Sequence, residues 1–179
     1  MTKKYDVVVI GAGPAGYVAA IRCAKLGMSV AWLDEWHNHL GESSLGGTCL
    51  NVGCIPSKAL LESSHLFAAA QNEFKDHGIS VAETRIDVPA MMARKDKVVS
   101  ELTQGIKALF KANKIEFIHG HAQLAPGKKV KVRERGEKKI IDRLEAENII
   151  LAAGSSSVHL DQAPLDQKYI VDSTGALEF

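Results

Sequence analysis

Hydrophobic and polar positions order the first third of the chain. Tyr5–Ile10 is an almost unbroken β-branched run, which marks a strand buried on both faces. Gly11–Gly16 is a tight turn, and Tyr17–Leu26 carries a helical alternation that Gly27 stops. Ser29–Leu33 is a second buried run. Strand, glycine turn, helix and strand open an α/β domain. A polar, glycine-rich loop, Glu35–Gly47, follows. The recurrence of Leu60, Leu61, Phe67 and Ala70 predicts a helix from about Pro56 to Phe74. Another starts near Pro89, with Val98, Leu102, Ile106 and Leu109 on one stripe.

After Asn113 the period shortens. Ile115–Ile118 reads as a buried strand, and Val130–Arg133 and Lys139–Leu144 flank the turn Arg135-Gly136-Glu137. These predict an exposed hairpin or meander inserted in the α/β unit. Asn148–Ala152 is again a buried strand, closing on Gly154. Ser155–Phe179, with Pro164 and Gly175, reads as an irregular connector. No internal repeat or low-complexity tract is present. The fold class is therefore α/β: a Rossmann-like domain over 1–155 with a parallel sheet, flanking helices and an inserted β-hairpin or meander, and a connector over 156–179.

Composition narrows the function classes. With 46% apolar and 24% charged residues, the chain is an ordinary globular protein. A net charge of +1 gives no reason to expect nucleic acid as a partner. The apolar start is broken by glycines before it could span a membrane, and it lacks the order of a signal peptide. The expectation is a cytoplasmic, reducing compartment with no membrane partner. Three cysteines there do not make a structural disulfide framework, so a close pair calls for redox or metal chemistry.

Gly11-Ala12-Gly13-Pro14-Ala15-Gly16 is G-x-G-x-x-G after a strand and at the opening of a helix. The first glycine permits the turn, the second lets a pyrophosphate approach, and the third lets helix and strand pack. The helix N-terminus offers free N–H groups to phosphate. Asp34, ending the second strand, stands where an acid holds a ribose hydroxyl pair, and Glu35 is the adjacent candidate. The bland alternative is a glycine turn that serves packing alone.

Cys49 and Cys54 are five positions apart. A regular helix would hold their Cα atoms about 8.7 Å apart, whereas a disulfide tolerates at most about 7 Å. A bridge therefore needs a distorted backbone between them. Gly53 allows that, and Pro56 suits the first turn of the helix beyond. That helix's N-terminus, and Lys58 one turn on, both favour a thiolate at Cys54. Two buried free thiols, or half a zinc site completed by His37-Asn38-His39 or His119-Gly120-His121, are the alternatives. No metal is expected. Cys23 sits mid-helix, as a packing residue does.

Gly46-Gly47-Thr48-Cys49-Leu50-Asn51-Val52-Gly53-Cys54-Ile55-Pro56-Ser57-Lys58 resembles the signature of class I pyridine nucleotide-disulfide oxidoreductases. Leu50, Ile55, Ser57 and the continuation Ala59-Leu60-Leu61 are similar to dihydrolipoyl dehydrogenases. Glutathione reductases usually carry a second lysine where Ser57 stands, and mercuric reductases are close on this stretch. The resemblance implies an FAD-binding domain carrying a redox disulfide, Cys49–Cys54. Cys54 would face the flavin, Cys49 would meet dihydrolipoamide, and Lys58 would lie near the flavin ring. Asp34, where most relatives have glutamate, would hold the adenosine ribose. The stretch Asp34–Cys49 would wrap the FAD, with Gly47 and Thr48 at the pyrophosphate and ribityl. Gly120-His121-Ala122 matches a turn over the adenine, and Ala153-Gly154-Ser155 the later flavin-side turn. The loop Glu35–Ser44 is longer than in many relatives.

The resemblance also implies partners: dihydrolipoamide on the lipoyl domain of a 2-oxoacid dehydrogenase complex, and a second copy in a homodimer. NAD would be the final acceptor in the complete enzyme. This chain has no second G-x-G-x-x-G and nothing like the family's His-Glu base. It is therefore expected to be a fragment or truncated product that binds FAD but not NAD, and that has no turnover alone. The rival expectations are a mercuric or glutathione reductase, or a non-catalytic FAD-binding module.

Overall fold

A computed structural model describes residues 2–38 and 41–178. Strands β1 (Lys3–Ile10), β2 (Val30–Asp34), β3 (Glu116–His119), β4 (His121–Ala125), β5 (Lys129–Arg133) and β6 (Ile140–Leu151) form one sheet in the order β3-β2-β1-β6-β5-β4. The pairs β1–β2, β2–β3 and β1–β6 are parallel, and β4–β5 and β5–β6 are antiparallel. Among the described residues four α-helices accompany it: α1 (Pro14–Lys25), α2 (Gly47–Val52), α3 (Cys54–Asn72) and α4 (Val88–Ala112). The Rossmann-like α/β reading holds.

Burial on both faces explains the β-branched runs. Val7, Val9, Val30 and Trp32 face the helices, packing with Ala20 of α1, Leu50 of α2 and Ile106 and Phe110 of α4. Val8, Ala31 and Leu33 face the other way, against Val130, Val132, Leu144 and Ala146. Each such buried aliphatic side chain contributes about 1.5–3 kcal/mol.

The meander is thus a covering layer, not the exposed hairpin the sequence suggested. Lys129-Val130-Lys131-Val132-Arg133 alternates with period two, and both valines are buried. The segments read separately as Lys139–Leu144 and Asn148–Ala152 are one strand, because Glu145-Ala146-Glu147 keeps the alternation running. Its first half pairs with β5 and its second with β1, overlapping at Leu144 and Glu145. Strand β4 went unforeseen, since its residues are mostly exposed and carry little β-branching.

One helix also differs in detail. The Asp87 side chain accepts from the Ala90 N–H at 2.9 Å and caps α4. The buried face of α4 is Lys95, Thr103, Ile106 and Phe110, whereas Leu102 and Leu109 of the expected stripe are exposed. Two polar residues on the inner face hid the true period. Lys95 is tolerated there because its ammonium meets Asp96 at 3.1 Å, Glu178 at 3.0 Å and the Leu177 carbonyl at 2.8 Å. That contact ties the segment before Phe179, irregular except for a short 3-10 turn at Gly175–Leu177, onto α4. Among the described residues no helix is long and apolar enough to cross a membrane.

Candidate functional site

The three glycines of the turn are glycine for different reasons. Gly11 has φ +110°, and a Cβ there would run into the Ala152 carbonyl. A Cβ on Gly16 would strike the Gly11 carbonyl, which also accepts from Trp32 Nε1 at 2.8 Å. Gly13 has nothing within 4 Å of where its Cβ would stand. No packing demand makes it glycine, so its open side is free for a ligand. Gly13 is the N-cap of α1 with no side chain capping it, and Pro14 and Ala15 are exposed in the first turn. Uncapped amides at an open N-terminus suit phosphate.

At the carboxyl ends of the parallel strands lies a cavity of about 140 Å³. Its lining brings together Gly11, Asp34, Glu35, His121, Ala122 and Ala153, with Ile10, Leu33 and Gly120. The turn after β3 is pinned there by the Gly120 N–H donating to the Asp34 carbonyl at 2.8 Å. Burial pushes the Asp34 carboxyl above the ordinary range, against the opposing pull of the Glu35 and Trp36 N–H groups. Glu35 points its carboxylate to His121 Nδ1 at 2.9 Å. Asp34 lines the same cavity, its Oδ1 accepting from the Glu35 N–H at 3.0 Å. The His37 and His119 rings meet edge-on, 4.5 Å apart. His39 and Leu40 lie outside the described residues; among those described, no group of three His, Cys, Asp or Glu could hold a metal.

The cysteines flank a real helix break. Gly53, at φ −147° and ψ −112°, separates α2 from α3. A Cβ on Gly53 would stand 2.9 Å from the Thr48 carbonyl and 3.4 Å from Cys49 Cα, so glycine lets the two turns close up. Cys54 is the exposed first residue of α3, and Cys49 is half-buried; both are free thiols, as is Cys23. A hydrogen bond with Cys54, then burial, pushes the Cys49 thiol up, with Lys58 pulling weakly the other way. In the reduced pair Cys49 is thus held more firmly as a thiol than an ordinary cysteine. Cys23 packs on the core through α1.

Backbone contact joins this pair to the glycine turn. The Gly46 N–H donates to the Ala12 carbonyl at 3.0 Å. Gly47 has φ +59°, and a Cβ there would stand 2.6 Å from Gly13 Cα. Asn51, which the sequence reading passed over, shapes this corner by donating to the Leu45 and Gly47 carbonyls at 3.0 and 2.9 Å. Its Oδ1 accepts from Ser44 at 2.7 Å. Thr48 and Lys58 are exposed on the same two helices, and Gly154 and Ser155 are exposed just past β6.

The sequence profile of the family described as pyridine nucleotide-disulphide oxidoreductase matches residues 5–178. The chain belongs to that family. Among its oxidoreductase relatives, mitochondrial dihydrolipoyl dehydrogenase of Pisum sativum is 46% identical over 173 residues, covering 96% of this chain and 33% of the relative. Dihydrolipoyl dehydrogenase of Cupriavidus necator is 44% identical over 185 aligned positions, covering 100% of this chain and 38% of the relative. Leghemoglobin reductase of Glycine max is 46% identical, covering 96% of this chain and 31% of its own length. The chain spans about a third of the length of the curated relatives it matches.

Proposed function

We propose that this chain is the FAD-binding part of a dihydrolipoyl dehydrogenase, and that Cys49 and Cys54 are its redox-active pair. The contact of the Gly46–Gly47 corner with the backbone of Ala12 and Gly13 carries the reading. It sets the two thiols beside the place a dinucleotide's phosphates would occupy. The residues present fit FAD: open Gly13 with the N–H groups of Ala15 and Gly16 for the pyrophosphate, and the cavity at Asp34, His121 and Ala122 for the adenosine. Gly47 and Thr48 would meet the pyrophosphate and ribityl, Lys58 the flavin ring, and Ala153, Gly154 and Ser155 the flavin-side turn. Residues 1–155 would be this domain, with 156–179 leading toward a domain for NAD.

In the reaction proposed, a thiolate of dihydrolipoamide attacks Cys49 Sγ of the oxidised pair. The Cys49–Cys54 bond breaks and Cys54 leaves as a thiolate, held by the α3 N-terminus and the Lys58 ammonium. The second substrate thiolate then attacks the mixed disulfide, closing the lipoamide ring and expelling Cys49. Cys49 takes a proton, as its raised pKa favours. FAD, held there, would supply the two-electron acceptor that returns this dithiol to the disulfide and the donor that passes the pair to NAD⁺. The partners proposed are a lipoyl domain of a 2-oxoacid dehydrogenase complex and a second copy of the complete chain, in the cytoplasm. The names of the relatives and Ser57 favour this over mercuric or glutathione reductase.

Gly13→Val tests the reading. Gly13 has φ −72° and ψ −179°, which valine adopts freely, and there is room for its Cβ. The variant is expected to fold with an unchanged thermal midpoint and to bind FAD at least tenfold more weakly by fluorescence quenching. A folded variant that binds FAD as the parent does would show that the turn is not the phosphate site.

A further inference from the structure

The adenine-end cavity has one wall made by a contact that the cofactor reading does not require. Glu35 leaves the end of β2 and His121 begins β4, 86 positions later, yet Glu35 Oε2 and His121 Nδ1 are 2.9 Å apart. Both line the cavity that Asp34, Gly11, Ala122 and Ala153 complete. A neutral imidazole protonated on Nδ1 and an imidazolium both donate to a carboxylate, so the contact survives either state of His121. Among the described residues the His121 ring makes no other hydrogen bond; the backbone at its root is held by the Gly120 N–H donating to the Asp34 carbonyl and by the pairing of His121 with Arg133. The root is thus anchored, and Glu35 is the hydrogen-bond partner that orients the ring.

We propose that Glu35 is a positioning residue that clasps His121 as a fixed wall against the adenine end of the bound nucleotide. The proposal rests on the FAD reading above and adds a division of labour to it: Asp34 binds the ribose, and Glu35 serves through His121. The clasp preorganises a flat ring beside a cavity whose remaining lining, Asp34 apart, is small or aliphatic, as at Gly11, Ile10, Ala122 and Ala153. The pair is over a third exposed, 54% for His121 and 39% for Glu35, so its effect is modest. An exposed pair of this kind shifts a binding constant about two- to fivefold.

The test measures dissociation constants of FAD, ADP and FMN for the full chain and for Glu35→Ala, Glu35→Gln, His121→Ala and the double alanine variant. Glu35→Ala and His121→Ala should each weaken FAD and ADP by the same two- to fivefold and leave FMN, which lacks the adenosine half, unchanged. The double variant should be no weaker than either single one. Glu35→Gln, whose amide oxygen still accepts from Nδ1, should stay near the parent, which loss of a merely structural charge would not allow. Parent-like ADP affinity in Glu35→Ala, or additive losses in the double variant, would overturn the clasp while leaving FAD binding intact. Failure of the parent chain to bind either FAD or ADP would overturn the cofactor reading, and the clasp with it. Because Glu35 is partly exposed, thermal midpoints within a few degrees of the parent are expected throughout.

Discussion

Cys54 is the more exposed of the two paired thiols, and Cys49 is the one whose pKa is raised. In the empty, reduced chain both facts direct an alkylating reagent to Cys54. A flavin seated over Cys54 would reverse that order, leaving half-buried Cys49 as the accessible sulfur. Peptide mapping after brief iodoacetamide treatment, with and without FAD, is expected to show label moving from Cys54 to Cys49. Label confined to Cys54 in both states would mean that the cofactor does not cover it. Asp34 gives a second expectation at this scale. Burial raises its pKa, so the carboxylate proposed to accept ribose hydroxyls is lost on acidification sooner than an ordinary carboxylate would be. Asp34→Ala should weaken ADP binding about tenfold, the worth of a hydrogen bond to a charged group. The parent's affinity should fall as pH approaches that raised pKa from above, and the variant's should not.

At the scale of elements, the first residues of β1 are stapled to both neighbouring regions. Lys3 Nζ lies 2.8 Å from Glu116 of β3 and 2.8 Å from Asp142 of β6, and Tyr5 donates to Glu116 at 2.6 Å. Bonds from Lys3 and then Tyr5 hold the Glu116 carboxyl below its ordinary value of 4.5. A lowered pKa stabilises the fold above that ordinary value, and the contribution is lost as pH falls through the lowered one. Glu116 is 45% exposed, so screening keeps the effect under about 1 kcal/mol. Urea unfolding of Glu116→Gln should therefore match the parent once the pH is well below that lowered pKa and fall short of it at pH 7. A deficit that is the same at both values would assign it to packing instead. Trp32 is the other element-scale anchor: it is fully buried and bonded to the Gly11 carbonyl. Trp32→Phe keeps the ring but orphans that carbonyl, which should cost about 1–3 kcal/mol and loosen the nucleotide turn. Unchanged stability by urea unfolding would count against that coupling.

Across the whole molecule, what the sequence made legible was what local chemistry dictates. The β-branched runs, the glycine turn, the acid after β2 and the need for a break between Cys49 and Cys54 all follow from neighbours a few positions apart. What stayed hidden depends on distant partners. Lys95 is buried only because Glu178 and Leu177 reach it, the meander is a core layer only because Val8 and Leu33 lie beneath it, and Glu35 is occupied only because His121 stands opposite. The same scale bears on turnover. The 179 residues hold one G-x-G-x-x-G, and Val158, Leu160 and Tyr169 are 87%, 62% and 82% exposed. Loaded with FAD, they should reduce NAD⁺ with dihydrolipoamide at least tenfold more slowly than a full-length relative assayed beside them.

The central claim, that the Cys49–Cys54 pair works against a bound flavin, is tested most directly by the visible spectrum of the FAD-loaded chain during anaerobic titration with dithionite. Reduction by the first electron pair should open the disulfide and leave Cys54 as a thiolate beside oxidised flavin, seen as a new long-wavelength absorbance. Cys54→Ser should bind FAD and show no such band. Direct bleaching of the flavin in the parent, with no long-wavelength absorbance and with both thiols free from the start, would contradict the account.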